Sequence, residues 1–161
     1  MFKQPRYIFI LLVLVLVVTS CESDKELTLV NQEESIDSYI SKSLMQYEVV
    51  RSNGSNRVII VPGEDAYTVA KGDSIKMYYE GFVFNGGPAT QFVSDSIVVA
   101  VGKGDLIKGL DDGLTGAKRG EESYIIFSAR YGFYDEEVGI VPAMSPLMYH
   151  TLIVDVKKNN K

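Results

Sequence analysis

The sequence predicts an α+β domain in which an antiparallel sheet carries one short helix. Three observations point there. From Ser74 onward, short runs of alternating apolar and polar residues are separated by glycine and proline turns. Only one stretch in that region, Leu106 to Leu114, has helical spacing, with Ile107, Leu110 and Leu114 on one face. Strand-like segments follow one another without the regular helical crossovers that a parallel sheet requires.

The first twenty residues stand apart from that domain. Lys3 and Arg6 precede an apolar run from Tyr7 to Val18, and small residues Thr19 and Ser20 lead to Cys21. This is the layout of a secretory signal peptide. The run is shorter than the roughly 20 apolar residues that span a bilayer, and it ends in Glu22, Ser23, Asp24, Lys25 and Glu26. Val18-Thr19-Ser20-Cys21 resembles the lipobox of bacterial lipoproteins, which implies removal of residues 1–20 and lipidation of Cys21. It is the chain's single cysteine, so a disulfide within the chain is excluded. The implied location is outside the cytoplasm, anchored to the cell envelope, with the outer membrane of a Gram-negative bacterium as the expected site. One acyl chain binds a membrane marginally and two or more bind it firmly.

Loss of Lys3 and Arg6 with the leader takes the formal charge from −5 to −7. An acidic chain of this kind is a poor partner for nucleic acid, whose binding depends on basic side chains that displace counterions. Residues 21–46 divide into an acidic tether, to about Gln32, and a short amphipathic helix. Ile36, Tyr39, Ile40 and Leu44 recur at helical spacing, and Glu33 and Glu34 lie near the start, where the helix dipole favours acids.

Residues 47–161 form the main domain. Asn53-Gly54-Ser55 marks a turn between strands at Tyr47 to Arg51 and Arg57 to Val61, and Pro62-Gly63 ends the second. Ser74 to Gly81 alternates as a strand. A further pair is expected around Gly86-Gly87-Pro88, at Phe82 to Phe84 and at Ile97 to Val101. The last strands are Ser123 to Ser128 and Leu147 to Val156, joined by a long loop rich in Gly, Tyr and Phe.

Nucleophilic and metal chemistry find no constellation here. His150 is the single histidine and lies in a strand-like run, where a structural or surface role is expected. Gly102-Lys103-Gly104 lacks the spacing of a phosphate-binding loop, and Asp135-Glu136-Glu137 reads as a solvated loop. No cofactor is implied.

The ordered motifs, by contrast, resemble one family. Gly72-Asp73-Ser74 with Tyr78-Tyr79-Glu80-Gly81, then Val101-Gly102-Lys103-Gly104-Asp105-Leu106-Ile107-Lys108-Gly109-Leu110, then Arg119-Gly120-Glu121-Glu122 are similar to successive FKBP motifs. Tyr131-Gly132-Phe133, Gly139-Ile140-Val141-Pro142 and Ser145-Pro146-Leu147-Met148-Tyr149 continue the order. The resemblance implies a half-barrel sheet wrapped around the helix and peptidyl-prolyl cis-trans isomerase activity on proline-containing, unfolded or partly folded exported polypeptides. Carried over position by position, it implies catalytic roles for Tyr79, Ile107, Leu110, Phe133 and Tyr149. Phe92, Ile97, Asp105, Leu106, Ile140 and Val141 would bind substrate, and the backbone N–H of Ile107 would hold a substrate carbonyl.

Three departures accompany the resemblance. Leu110 stands where the family has the tryptophan floor of its pocket, and Phe133 replaces a tyrosine. Aligning Phe92-Val93 with the family's Phe-Asp pair puts Val93 at the aspartate. Asp105 in place of a glutamate matters less, because that position acts through its backbone carbonyl. The alternative these losses suggest is a peptide-binding or chaperone lipoprotein of the same fold with weak or no isomerase activity.

Overall fold

A computed structural model describes residues 5–159, with side chains from 22 onward except those of 65 and 67. The charged start of the leader and the side chains up to Cys21 therefore lie outside what is described. Among the described residues, eight strands and two α-helices follow in order: α1 (Pro5–Ser43), β1 (Glu48–Ser52), β2 (Ser55–Val61), β3 (Glu64–Thr68), β4 (Ser74–Phe84), β5 (Pro88–Ala100), α2 (Lys108–Leu114), β6 (Lys118–Arg119), β7 (Glu122–Phe127) and β8 (Leu147–Lys157). A 3₁₀ turn at Ala129–Tyr131 opens the loop between β7 and β8. Six strands form one antiparallel sheet in the order β1-β2-β7-β8-β4-β5, and β3 pairs with β6.

Each face of the sheet is covered by a helix. On the inner face, Leu110 and Leu114 of α2 join Ile75, Met77, Ile125, Phe127, Leu147, Tyr149 and Ile153 in one buried cluster. The helix approaches β7 closely because glycines face it at successive turns. A β-carbon on Gly109 would lie 2.3 Å from the Phe127 ring, and one on Gly113 2.4 Å from Ile125. On the outer face, Ile36 and Ile40 of α1, with Leu44 just beyond it, meet Val58, Phe84, Ile126 and Met148. The alternation of β7, with Ile125 and Phe127 inward and Ile126 outward, follows from the two-residue period of a strand.

Two expectations are corrected. The stretch 21–32, read as a tether, is helical throughout and continuous with the amphipathic segment. Leu29 is buried, and Lys25, Glu26 and Gln32 bond to the loop after β7. Acidic composition hid a helix whose docking relies largely on polar contacts. The second correction concerns the hairpin at Gly86-Gly87. Phe82 to Phe84 is the end of the long strand β4 rather than a separate strand, and β5 begins at Pro88, well before Ile97. As an edge strand with an exposed face, β5 carries polar residues from Ser94 to Ser96 that mask its period.

Candidate active site

The inner face of the sheet is built for aromatic side chains by one irregularity. Along the β4–β5 ladder Gly81 opposes Val93 and the next residue, Phe82, opposes Gln91, so Phe92 is the extra residue of a bulge. Both Phe92 and Val93 then pack against the inner cluster. Position 81 must be glycine for this: a β-carbon there would lie 2.7 Å from both Phe92 Cζ and Val93 Cγ1.

Five rings meet beside the helix. Tyr149 is stacked on Phe127, with centroids 6.0 Å apart and planes 17° from parallel. Phe92 stands edge-on to Tyr149 at 5.7 Å and to Phe133 at 6.4 Å. Tyr79 lies 6.3 Å from Tyr149. Leu110, Phe127, Val141 and Tyr149 are buried and make the floor, while Tyr79, Phe92, Ile97, Leu106, Ile107 and Phe133 are half-buried around it. Half-buried apolar side chains around a buried apolar floor are what a ligand site presents before its ligand arrives.

The electrostatics match. Burial, with Tyr79 adding to it, pushes the Tyr149 phenol far above its usual range. Burial also raises Tyr79, and the carboxylate of Asp95 acts in the same direction. Asp95 sits directly opposite Tyr79 in the ladder. Both phenols are therefore neutral at physiological pH and available as O–H donors. Ile107 is the N-cap residue of α2, with extended backbone and no capping side chain, so its N–H has no partner within the helix. Such a surface desolvates a peptide and offers it a few neutral donors. It supplies neither a nucleophile nor a titrating base.

The FKBP-type peptidyl-prolyl cis-trans isomerase family model matches residues 65–154, which hold all of these rings. The chain belongs to this family. FK506-binding protein 1 of Aspergillus oryzae is 30% identical over 115 residues, 64% of this chain and 98% of the relative. FK506-binding protein 1A of Neurospora crassa is 31% identical over 98 residues, 59% of this chain and 82% of the relative. Trigger factor of Campylobacter fetus is 32% identical over 108 residues, 62% of this chain and 24% of its own. Among solved structures, the crystal structure of the three FKBP domains of wheat FKBP73 matches with a TM-score of 0.62 at 19% identity. That match covers 70% of this chain and half of the wheat chain, and shows the fold.

Within this FKBP domain, nine of the eleven positions expected from the resemblance belong to the inner hydrophobic cluster or pack against it: Tyr79, Phe92, Ile97, Leu106, Ile107, Leu110, Phe133, Val141 and Tyr149. Ile140 does not. It is 62% exposed and turns to solvent beside buried Val141, because the adjacent Val138–Val141 bridge makes a tight turn. Asp105 is also exposed, on the loop before α2. Sequence reasoning missed Phe127 and Asp95. Phe127 is the ring under Tyr149, and Asp95 is a carboxylate two residues beyond Val93, where the family's aspartate is lost. A cleft of about 530 Å³ is lined by Tyr78, Glu80, Glu122, His150 and Leu152 and also reaches Tyr79 and Asp95. His150 bonds Glu122 there at 2.8 Å, in line with a structural role.

Proposed function

We propose that this isomerase acts on exported polypeptides at the cell envelope, held there by a lipid on Cys21. The observation that supports the site is the ring of half-buried side chains around the Leu110–Phe127–Tyr149 floor. Rotation about an X-Pro bond crosses a barrier of about 18–20 kcal/mol and takes roughly tens to hundreds of seconds unaided. At mid-rotation the amide loses its resonance and its carbonyl becomes less polar. An apolar site binds that state better than the planar one, and the difference lowers the barrier.

In this reading the proline ring rests over Leu110 beside the Phe92–Phe133 pair, and the N–H of Ile107 holds the carbonyl of the preceding or following residue. Tyr79 and Tyr149 supply neutral hydroxyls. Each 1.4 kcal/mol of preference gives about tenfold in rate, so a site that has exchanged tryptophan for leucine and tyrosine for phenylalanine retains part of the acceleration. A protease-coupled assay on an X-Pro-Phe peptide is the test, and the expected result is a catalysed rate below that of a relative with the full set of polar groups. Binding of unfolded clients with peptide isomerisation at the uncatalysed rate would make the protein a binding module instead.

Export and anchoring rest on the leader and the lipobox-like sequence. The wild type should incorporate labelled fatty acid and fractionate with membranes, and Cys21→Ser should abolish the label. An unlabelled wild type would remove the anchor from this reading and leave the isomerase.

A further inference from the structure

The wall of the site that carries Phe133 and Val141 is a loop with two unusual backbones. Tyr134 and Met144 have φ of 54° and 56°, in the left-handed region that a β-carbon disfavours. Both belong to one closed ring of hydrogen bonds. The N–H of Ala129 donates to Gln32 Oε1 at 2.9 Å. The N–H of Tyr134 donates to the Ala129 carbonyl at 3.0 Å, and that of Met144 to the Tyr134 carbonyl at 2.6 Å. Gln32 Nε2 then donates to the Met144 carbonyl at 2.7 Å and completes the ring.

Gln32 lies on α1, far outside the stretch 65–154 that carries the family resemblance. We infer that Gln32 is a positioning residue for isomerisation, whose amide staples the two ends of the loop so that Phe133 stays against Phe92. This rests on the isomerase reading of the site. A primary amide suits the task because one planar group offers an acceptor to Ala129 and a donor to Met144. An ionised carboxylate offers acceptors only, and an aliphatic chain offers neither. The other helix contacts do not replace it: Lys25–Asp135 and Arg130–Glu26 are exposed pairs, of a kind that adds little, and the Ser128 hydroxyl bond to Glu33 and buried Leu29 leave the backbone of Ala129 and Met144 unpaired with α1. With the ring opened, Tyr134 is free to leave its left-handed conformation and to carry neighbouring Phe133 away from the floor.

The full chain is the material for the test. Gln32→Leu should lower kcat/KM on an X-Pro-Phe peptide by about tenfold, as misplaced groups near a site do. It should also speed hydrogen exchange at the amides of Ala129, Tyr134 and Met144 and leave the amides of β7 and β8 unchanged. Gln32→Glu supplies a readout that a merely structural role would not move. Its ionised carboxylate repels the Met144 carbonyl, whereas the protonated acid restores both bonds, so its activity relative to wild type should recover as the pH is lowered from about 7 to about 4, through the ordinary glutamate range. Gln32→Leu should show no such recovery.

The charged side chains on the surfaces that meet here are Lys25, Glu26 and Glu33 on the helix and Arg130 and Asp135 on the loop. All three proteins share them, and the ratio to wild type removes their own titration. Wild-type kcat/KM in Gln32→Leu, or a ratio for Gln32→Glu that is flat with pH, would overturn the inference and leave the isomerase reading intact. If Gln32→Leu does not fold, Gln32→Glu compared with wild type across the pH range decides the matter. A wild type without activity would overturn both readings together.

Discussion

The backbone of Gly109 faces the ring of Phe127 so closely that a β-carbon would lie 2.3 Å from its Cγ. Phe127 in turn supports Tyr149 from below. Gly109→Ala should therefore either displace α2 or tilt the ring under the site. Overpacking of this kind costs about 1–3 kcal/mol, to be read as a lower urea midpoint. Isomerase activity should fall further than stability alone explains, because the floor moves.

At Leu110 the floor can be enlarged. Leu110→Trp combined with Phe133→Tyr should raise the rate on short proline peptides, since the indole fills the base of the site and the hydroxyl returns a donor. The same pair should lower the urea midpoint, because Leu110 is already buried against well-packed neighbours. The rate measurement and the denaturation curve are expected to move in opposite directions.

Asp73 sets a pH limit on stability. Burial alone would raise its pKa, but hydrogen bonds from Lys158 and from the backbone N–H groups of Asn159 and Ala70 outweigh that and hold it below the usual carboxylate range. A depressed folded pKa means that the stabilisation is complete above the unfolded value of about 3.8 and disappears as pH falls through the folded value. The urea midpoint of wild type should carry this contribution from neutral pH down to about 4 and lose it below. Asp73→Asn should be less stable at neutral pH, and its difference from wild type should shrink in acid.

Arg57 and Glu121 form a buried ion pair at 2.7 Å, with side chains 4% and 1% exposed. The Nε of Arg57 has no hydrogen-bond partner, so the pair is imperfectly satisfied. Removing one member should cost about 3–5 kcal/mol, since the other is left as an isolated buried charge. Replacing both, as Arg57→Met with Glu121→Leu, should recover most of the loss. A double-mutant cycle in urea measures it.

How much of this was legible in the sequence depended on whether a segment has one solvent face. Strands β4 and β8 alternate over their inward residues, and α2 shows its Leu110–Leu114 stripe, so their places follow from periodicity. Strand β7 is covered by a helix on each face, and its run Tyr124-Ile125-Ile126-Phe127 has no alternation to say which residue turns inward. Phe127 was invisible as a floor for that reason. Phe92 and Val93 both face the core only through a bulge, which strict alternation denies. Helix α1 was half-legible: Ile36, Ile40 and Leu44 give its apolar stripe, whereas the segment before them docks through Gln32, Glu33 and a single buried leucine. Ile140 was misplaced because a family motif fixes the order of residues and not the direction of each side chain in a turn.

The unbroken course of α1 alters how the domain relates to whatever holds it. A flexible stretch as long as residues 21–32 would have an end-to-end spread of roughly 20 Å, and the domain would swing on it like a float. As helix, with Lys25, Glu26, Leu29 and Gln32 seated on the fold, the same residues act as a strut. If Cys21 carries the proposed lipid, height and tilt above the membrane would be set by the fold itself, and the enzyme would meet only those chains that pass through a thin layer at the surface.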